Sequence, residues 1–290
     1  MTNVLFLILN YKTYKDTVRV VEELVTSGMP NIRILIVDNA SPNNSLNILR
    51  DRYNGSSIVD VISSGENGGY AKGNNFGLRY AKRYAPEFVC VMNNDVHFTK
   101  ETIYSLIDTY RILNKPAVIS PVQYLPNNER AKFPSLLSLP SFISDAKYLL
   151  GLSTKFHEYV ANTDMPNIQE VAIIPGAFLF IKYDVFEQIG FFDERTFLFC
   201  EERFLARKVK DSGFSNYLVL DLSYLHEHSK TISSEASEKK QRELIQDGRI
   251  EYAKKYYMPL NMVKVNLLRL LYIISEAIHF FKKQFRKLSK

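Results

Sequence analysis

Apolar runs that end on polar side chains recur along the first third of the chain. Three of them, at residues 4–9, 32–37 and 58–62, are short and rich in β-branched side chains, which is typical of strands buried on both faces of a sheet. Residues 16–25, between the first two runs, repeat valine at helical spacing. This alternation predicts an α/β fold with a parallel sheet and right-handed crossovers.

A fourth buried-strand run, FVCVMNNDVHF at residues 88–98, stops on Asn93, Asn94 and Asp95. The carboxyl ends of strands in an open α/β sheet border the ligand crevice. A carboxylate at that edge is a candidate ligand for a hard divalent cation, which takes oxygen donors and often bridges substrate phosphates. The alternative is an Asn-rich turn after a strand, because Asn and Asp are common turn formers.

A glycine-rich segment, SSGENGGYAKGNNFG at residues 63–77, leads into a predicted helix. Glycine permits close approach of the backbone to a ligand, and a helix N-terminus offers free N–H groups. The segment is not a Walker loop, because Lys72 is followed by Gly73, and it does not occupy the first βα turn, where a dinucleotide fingerprint would lie. A flexible surface loop is the alternative.

Two places have the sequence of a helix start. Ser41 before Pro42 combines a side-chain cap with a proline whose missing N–H costs nothing. Glu201 and Glu202 precede apolar residues at helical spacing, and acids in a first turn interact favourably with the helix dipole. That structural role is the alternative to a catalytic one for the two glutamates. His226 and His228 are candidate site residues as well, and the alternative for them is a pair of solvent-facing imidazoles at a strand end.

A long irregular connection, residues 124–167, carries four prolines and alternates aromatic with polar residues. A connection of this length inside a compact domain is usually functional or mobile. We expect acceptor specificity to be set here.

Charge is unevenly distributed along the 290 residues. The net charge is +6, yet residues 254–290 hold nine basic residues against Glu276 alone, so the remainder is close to neutral. A neutral body with a basic tail argues against nucleic-acid binding and for contact between one end and an anionic surface. The two cysteines, Cys90 and Cys200, form no disulfide framework, which favours a reducing compartment.

The basic tail also repeats apolar residues at helical spacing, from Val263 to Leu288. Lys264, Arg269 and Glu276 interrupt it, so a membrane span is not predicted. An amphipathic helix with basic residues can lie in a membrane interface. The alternative is a helix that packs on the catalytic domain or on a second subunit.

Eight short motifs occur in a fixed order. They are LNY at 9–11, IVDNAS at 36–41, ENGGYAKGNN at 66–75, MNNDV at 92–96, PGAFLFI at 175–181, GFFDE at 190–194, EERFL at 201–205 and HEHS at 226–229. With this set the chain resembles the family 2 glycosyltransferases with a GT-A fold, most closely the rhamnosyltransferase-like bacterial enzymes that build surface polysaccharides. The resemblance implies a GT-A catalytic domain over residues 1–230, with a Rossmann-like mixed, mostly parallel sheet flanked by helices. A helical, basic amphipathic extension would follow over residues 231–290.

The resemblance also implies residue roles. Asp38 would accept from the nucleotide base. The nucleotide-sugar site as a whole would comprise Asn10, Asp38, Asn39, Asn67, Gly68, Gly69, Lys72, Asn74, Asn93, Asn94 and Gly176. Asp95 and His226 would hold a divalent cation, Mn²⁺ or Mg²⁺, and Glu202 or Glu201 would be the general base. Two departures stand out: Asn93 replaces the first acid of the family's Asp-x-Asp, and the acid pair is Glu-Glu, which leaves the base open between the two.

The implied activity is inverting, metal-dependent transfer of a sugar from dTDP-rhamnose or a UDP-hexose to a lipid-linked oligosaccharide, in capsular or cell-surface polysaccharide synthesis. One base on the face opposite the leaving group gives inversion. The expected location is cytoplasmic, peripheral on the inner face of the cell membrane, with a homo-oligomer possible. The competing interpretations are a nucleotidyltransferase acting on sugar phosphates and a non-catalytic, glycosyltransferase-like scaffold.

Overall fold

The computed structural model of the protein describes residues 2–133, 136–152, 165–227 and 238–288. The strands are β1 Val4–Asn10, β2 Ile32–Asp38, β3 Val59–Ser63, β4 Phe88–Met92, β5 Val96–His97, β6 Pro116–Tyr124, β7 Ile168–Val171, β8 Phe178–Lys182 and β9 Ser215–His226. The helices are α1 Tyr14–Thr26, α2 Ser45–Arg52, α3 Gly69–Ala81, α4 Lys100–Ile112, α5 Phe142–Leu149, α6 Tyr183–Gln188, α7 Glu201–Asp211, α8 Glu238–Tyr256 and α9 Asn261–Leu288.

Within this described part, the strands form one sheet in the order β3-β2-β1-β4-β8-β6-β9-β5, and β7 pairs with β9. The β3-β2-β1-β4 half is parallel, as the strand–helix alternation predicts. β8 reverses the direction, because it pairs antiparallel with both β4 and β6. The predicted mixed, mostly parallel sheet flanked by helices is therefore confirmed.

Alternating side chains of the central strands enter two apolar layers. In β1, Phe6 and Ile8 pack on one face of the sheet with α1, while Leu5 and Leu7 pack on the other with Leu78 of α3. Such strands read as continuous apolar runs because both faces are buried. The layers fix the sheet register, since a one-residue slip would exchange the two faces.

This register brings polar residues together at the carboxyl ends of neighbouring strands. Asn10 lies opposite Asp38, and Asp38 lies opposite Ser63. Ile8 pairs with Met92, so the segment that begins at Asn93 emerges at the same edge. The polar ends of separate strands therefore come together, as expected for parallel neighbours.

The C-terminal helices pack against the α/β body through a third apolar core. Leu149 of α5 and Phe204 of α7 contact Tyr252 of α8 and Val265 and Leu268 of α9. The other side of α9 is exposed and apolar, with Leu270, Ile273, Ile278, Phe280 and Phe281 at its surface. The predicted boundary at 230/231 and His228 both fall in residues 228–237, outside the described residues.

None of the described helices combines the length and the apolar character needed to cross a membrane.

Candidate active site

Polar side chains at the ends of β1 and β2 form a buried hydrogen-bond network. Asn10 Nδ2 donates to Asp38 Oδ2 over 2.7 Å. Ser41 donates to the same carboxylate twice, from its backbone N–H to Oδ1 (2.9 Å) and from its hydroxyl to Oδ2 (2.8 Å). The prediction that Ser41 caps a helix is wrong, because α2 begins at Ser45 with Asn44 before it. Its hydroxyl instead fixes the orientation of Asp38.

The glycine-rich segment is joined to this network and to a distant loop. Asn39 Nδ2 donates to Asn67 Oδ1 (3.0 Å) and to the carbonyl of Gly69 (3.2 Å). Gly69 has a φ of +83°, and a Cβ at this position would lie 1.9 Å from the carbonyl oxygen of Phe197. Glycine is required there for both reasons. The backbone N–H of Tyr70 donates to the same Phe197 oxygen over 2.8 Å, so the start of α3 is fastened to the loop before α7.

The remaining predicted residues of this segment have separate environments. Lys72 Nζ is exposed and pairs with Glu66, and Gly68 lies against the Lys72 side chain. Asn74 is buried, and its Nδ2 donates to the carbonyl of Tyr70 (3.0 Å). For these three residues, contact with a nucleotide sugar stays a prediction.

Asn94 faces the inside of the protein. Its Nδ2 donates to Thr13 Oγ1 (2.7 Å) and to Thr17 Oγ1 (2.9 Å), and Thr17 in turn donates to Asn10 Oδ1 (2.8 Å). A continuous chain of hydrogen bonds thus runs from Asn94 through Thr17 and Asn10 to Asp38. In this structure the Asn94 amide holds the two strand ends together, and its contact with a ligand stays a prediction.

Asp95 and His226 lie next to each other. β5 pairs antiparallel with the end of β9, with Val96 opposite His226, and this pairing carries Asp95 Oδ1 to 3.2 Å from His226 Nε2. Gln123 Nε2 lies 3.1 Å from the other ring nitrogen, Nδ1, and the Tyr224 hydroxyl donates to Gln123 Oε1 (2.9 Å). The imidazole is therefore oriented by a second layer of side chains.

The donor set at this position fits a divalent cation in part. One carboxylate and one imidazole 3.2 Å apart can share a coordination shell, and Asn93 Nδ2 lies 3.3 Å from the same His226 nitrogen. The described residues contain no group of three or more His, Cys, Asp or Glu side chains able to hold a metal. An ion here would therefore need oxygen ligands from a substrate, as Mg²⁺ sites on phosphates commonly do.

Glu202 is held at a backbone amide by a glycine. The N–H of Gly176 donates to Glu202 Oε1 over 3.2 Å, and a Cβ on residue 176 would lie 2.8 Å from that oxygen. The Tyr70 hydroxyl donates to the carbonyl of Gly176 (2.7 Å), which fixes the peptide from its other side. Glu202 is half-buried, whereas Glu201 is only 5% exposed. Glu202 is thus the more accessible of the two acids.

The backbone before these acids is strained. Phe199 and Cys200 both have left-handed φ values, 70° and 69°, immediately before α7 begins at Glu201. Bulky side chains seldom adopt this conformation, and such outliers cluster at functional sites. The strained turn sets the direction in which the first turn of α7 presents its carboxylates.

Burial changes the acidity of the pair. Burial raises the pKa of Glu202, while the N–H of Gly176 and the charge of Arg203 act in the opposite direction. Burial, and then the charge of Glu202, raises the pKa of Glu201 well above its ordinary range. Two adjacent carboxylates do not both ionise readily, so we expect Glu201 to stay protonated while Glu202 ionises. A raised carboxylate pKa suits a general base.

A cleft of about 530 Å³ is lined by several of the predicted site residues. Its lining includes Asn93, Gly176, Glu201, Glu202 and His226 from the predicted site. It also includes Tyr70 and Gln123, together with side chains of α5 and α8. The cleft thus brings Glu201, Glu202 and His226 to one space. Asp95, Asn10, Asp38, Asn39 and Asn67 are not among its lining residues.

Comparison with known proteins identifies the family. The sequence model of the family described as Glycosyl transferase family 2 matches residues 6–189, well over half of the chain. The chain belongs to this family. The match includes Asp95 and the hydrogen-bond network at the ends of β1 and β2. It ends before Glu201 and Glu202 of α7.

Two curated proteins are similar to this member of glycosyl transferase family 2. The low-salt glycan biosynthesis hexosyltransferase Agl10 of Haloferax volcanii is 31% identical over 208 residues, which cover 68% of this chain and 58% of that protein. An N-acetylglucosaminyl-diphospho-decaprenol L-rhamnosyltransferase of Mycobacterium tuberculosis is 23% identical over 208 residues, covering 67% of this chain and 66% of that protein. The chain therefore spans less than two thirds of the length of either relative.

A solved structure shares the fold. The crystal structure of GalNAc-T7 with UDP, GalNAc and Mn²⁺ aligns with a TM-score of 0.60 at 11% identity, covering 86% of this chain and 48% of that one. The predicted GT-A fold is confirmed.

Several residues of the site carry no signal that sequence reasoning could use. Gln123, which orients His226, and Tyr224, which orients Gln123, lie in strands without a motif. Tyr70 lies inside the ENGGYAKGNN motif, but the motif does not reveal its bond to Gly176, which is 106 positions away. Asp145 and Arg249, which also line the cleft, come from segments that sequence reasoning left without residue roles.

Proposed function

We propose that this protein is an inverting, metal-dependent glycosyltransferase that moves a hexosyl unit from a nucleotide sugar to a lipid-linked acceptor. The observation that carries the proposal is the cleft that Glu202, held by Gly176, lines together with His226, whose Nε2 lies 3.2 Å from the buried Asp95. Membership of glycosyl transferase family 2 favours sugar transfer over the nucleotidyltransferase alternative. Glu202 is half-buried and accepts a hydrogen bond from the Gly176 N–H, which argues against a non-catalytic scaffold.

The hydrogen-bond network at the carboxyl ends of β1 and β2 is the proposed donor site. Asp38, Asn39, Asn67 and Gly69 are fixed by hydrogen bonds, which suits recognition of a nucleotide without reorganisation. Tyr70, the residue after Gly69, lines the cleft. Because Asp38 already accepts from Ser41 and Asn10, a nucleotide base would share its oxygens or replace one of these donors. The presence of UDP in the GalNAc-T7 structure supports a nucleotide donor.

Asp95 and His226 are the proposed ligands of a divalent cation, Mn²⁺ or Mg²⁺. When bound, such an ion stabilises the charge that develops on the leaving diphosphate. The chain's own contribution is orientation: Gln123 and Tyr224 hold the imidazole, and the β5–β9 pairing holds the carboxylate. Mn²⁺ in the structure of GalNAc-T7 supports the cation.

Glu202 is the proposed general base. Its carboxylate would take the proton of the acceptor hydroxyl while that oxygen attacks the anomeric carbon, and the nucleoside diphosphate leaves from the opposite face. A single displacement inverts the anomeric configuration. Glu201, buried and with its pKa raised further, would stay neutral beside it.

The acceptor and the cellular role follow from the relatives. The name of the mycobacterial relative describes a sugar on a diphospho-decaprenol, and that of Agl10 describes glycan biosynthesis. We propose a lipid-linked oligosaccharide acceptor, dTDP-rhamnose or a UDP-hexose as donor, and a role in capsular or other cell-surface polysaccharide synthesis. The exposed apolar side of α9, in a region with excess basic charge, would lie on the cytoplasmic face of an anionic membrane.

A thermal-shift screen of nucleotide sugars with and without Mn²⁺ tests the donor and cation roles. A ligand at about 100 times its Kd stabilises the native state by about 2.7 kcal/mol, which corresponds to a rise in Tm of about 4 °C for a chain of this length. We expect dTDP-rhamnose or a UDP-hexose to produce this rise in the presence of Mn²⁺. Asp95→Asn should remove the Mn²⁺-dependent part.

Asp60→Asn is the matched control for this experiment, because Asp60 pairs with Arg33 away from the cleft. It should keep the response of the natural protein. The proposal would be contradicted if no nucleotide sugar raised the Tm, or if Asp95→Asn responded as Asp60→Asn does.

A further inference from the structure

One wall of the cleft carries two arginines around a single aspartate. Asp145 of α5 is buried, and its Oδ2 accepts from Arg203 Nη2 (2.6 Å) and from the Tyr257 hydroxyl (2.5 Å). Arg249 of α8 approaches from the other side, with its Nε 3.7 Å from Asp145 Oδ1. This cluster joins α5, α7 and α8, so it is part of the contact between the α/β body and the C-terminal helices.

Arg249 is buried without saturating its donors. It is 9% exposed, and no acceptor among the described residues makes a hydrogen bond to its Nε. Its guanidinium lies over the Tyr148 ring, 3.9 Å from the centroid, and its ion pair with Asp145 is longer than a hydrogen bond. A buried guanidinium N–H without an acceptor is costly, and an anion at the guanidinium would offset this cost. Arg203 Nε is in the same condition.

The charges that share the cleft favour an anion at this wall. Asp145 offsets one of the two guanidinium charges and leaves the wall with one positive charge in excess. Glu201 and Glu202 line the same cleft. Burial and the neighbouring charge of Glu202 raise the pKa of Glu201, which favours its neutral form, so Glu202 is the main competing anion. Glu202 has its own hydrogen-bond donor in the N–H of Gly176, which leaves the Arg249 fork to another ligand.

The position of this wall indicates which anion it would receive. Arg249 of α8 contacts two residues of α5, Asp145 through its guanidinium charge and Tyr148 through its ring. The diphosphate of the donor is assigned to Asp95 and His226, which leaves the arginine wall of the same cleft for the acceptor. Beside it, α5 and the residues that follow it expose apolar side chains, namely Ile143, Tyr148, Leu150 and Leu152.

We infer that Arg249, supported by Arg203, forms a subsite for the diphosphate of the lipid-linked acceptor, with the apolar surface of α5 beneath the first part of the lipid chain. This inference rests on the proposed function and extends it to a residue pair outside the part matched by the family model. A guanidinium fork matches phosphate geometry with two parallel hydrogen bonds. Binding at this subsite would hold the acceptor sugar between the diphosphate and Glu202.

Calorimetric titration of the full chain with geranyl diphosphate in EDTA tests the subsite apart from any cation. Inorganic diphosphate and UDP serve as comparison ligands, which separate a lipid diphosphate from a free anion and from a donor fragment. We expect geranyl diphosphate to bind more tightly than either. Arg249→Gln should weaken its binding by about tenfold or more, as expected when a charge-assisted hydrogen-bonding pair is removed.

Arg242→Gln is the matched control on the same helix, because Arg242 pairs with Glu276 of α9 and does not line the cleft. It should leave the Kd unchanged. If Arg249→Gln does not fold, Arg249→Lys replaces it: the charge remains but the fork is lost, and binding should weaken severalfold. The inference is overturned if the natural protein does not bind geranyl diphosphate, or if these Arg249 variants bind it as tightly as the natural protein does.

Binding of UDP with Mn²⁺ is measured on the same samples and separates the two proposals. Loss of the geranyl diphosphate response in Arg249→Gln with unchanged UDP–Mn²⁺ binding supports the subsite. Absence of UDP–Mn²⁺ binding in the natural protein contradicts the donor site and leaves the result for Arg249 to stand by itself.

Discussion

Replacing Glu202 by Gln should remove catalysis while leaving the site assembled. The amide has nearly the same shape as the carboxylate, and its Oε1 can still accept the Gly176 N–H that now lies 3.2 Å away. The substitution therefore removes the capacity to take a proton and little else. A general base contributes about 10²- to 10⁴-fold to a rate, so we expect kcat to fall by that factor, which is roughly 3–5 kcal/mol of barrier.

Donor affinity provides the internal check on this substitution. Asp38, Asn39 and Asn67 make their hydrogen bonds without Glu202, so the Kd for the donor should change by no more than about twofold. Transfer is measured as release of nucleoside diphosphate that depends on acceptor, and donor binding by calorimetry. A fall in kcat together with a large loss of donor binding would mean that the site had collapsed.

The pH profile of the natural protein gives a second readout of the same residue. Burial raises the pKa of Glu202 above the ordinary value of 4.5, so the acid limb of kcat should have its midpoint above that pH, with activity rising as the carboxyl ionises. Residual activity of Glu202→Gln should lack this limb. Glu201→Gln is the matched control: it exchanges a neutral carboxyl for a neutral amide and should keep most of the activity. The assignment is refuted if Glu201→Gln loses as much activity as Glu202→Gln, or if Glu202→Gln retains more than about a tenth.

Two further predictions concern stability and the membrane. Asn94→Ala should lower the free energy of unfolding, measured by urea titration, by about 1–3 kcal/mol, because the hydroxyls of Thr13 and Thr17 lose a buried donor. The control Asn47→Ala, at an exposed position, should change it by less than about 0.5 kcal/mol. Ile273→Glu should weaken partitioning to vesicles containing anionic lipid by about tenfold, since the side chain is 65% exposed on α9. Ile112→Glu, on an exposed position of α4, should not, and equal loss in both variants would contradict the assignment of the membrane surface to α9.

Ile273→Glu is a better test of membrane binding than deletion of α9. Val265 and Leu268 of α9 are completely buried against the rest of the molecule. Removing the helix would expose the core that it shares with α5 and α7. A changed location of such a truncated protein would then reflect unfolding as well as loss of membrane contact.

The sheet and its functional edge could be predicted because both depend on short-range patterns. Continuous apolar runs identify strands buried on both faces, and the polar residue that ends each run marks the edge of the sheet. Asp95 could be predicted as a site residue from this pattern. The pattern also places Asn10 and Asp38 at strand ends, but their roles came from the resemblance. The position of His226 beside Asp95 was available through resemblance, since the pairing of β5 with the end of β9 has no local signature.

What could not be predicted depends on contacts between distant segments. Asp145 meets Arg203 across 58 positions and Tyr257 across 112 positions, and no periodicity relates these residues. Ser41 illustrates the opposite error, in which a local rule was satisfied by the sequence but the hydroxyl had a stronger partner in the tertiary structure. The left-handed backbone conformation of Phe199 and Cys200 could not be predicted either, because neither residue type favours a positive φ.

The contact between Gly69 and the Phe197 carbonyl has a consequence for attempts to change sugar selectivity by exchanging loops. The glycine-rich segment cannot be replaced by one with a side chain at position 69 unless the loop before α7 is moved aside, and that loop leads directly to the two acids. Chimeras with another member of the family should therefore exchange residues 66–70 and 196–200 as a pair. A graft of the first segment alone would displace the loop that leads to Glu202, the proposed base.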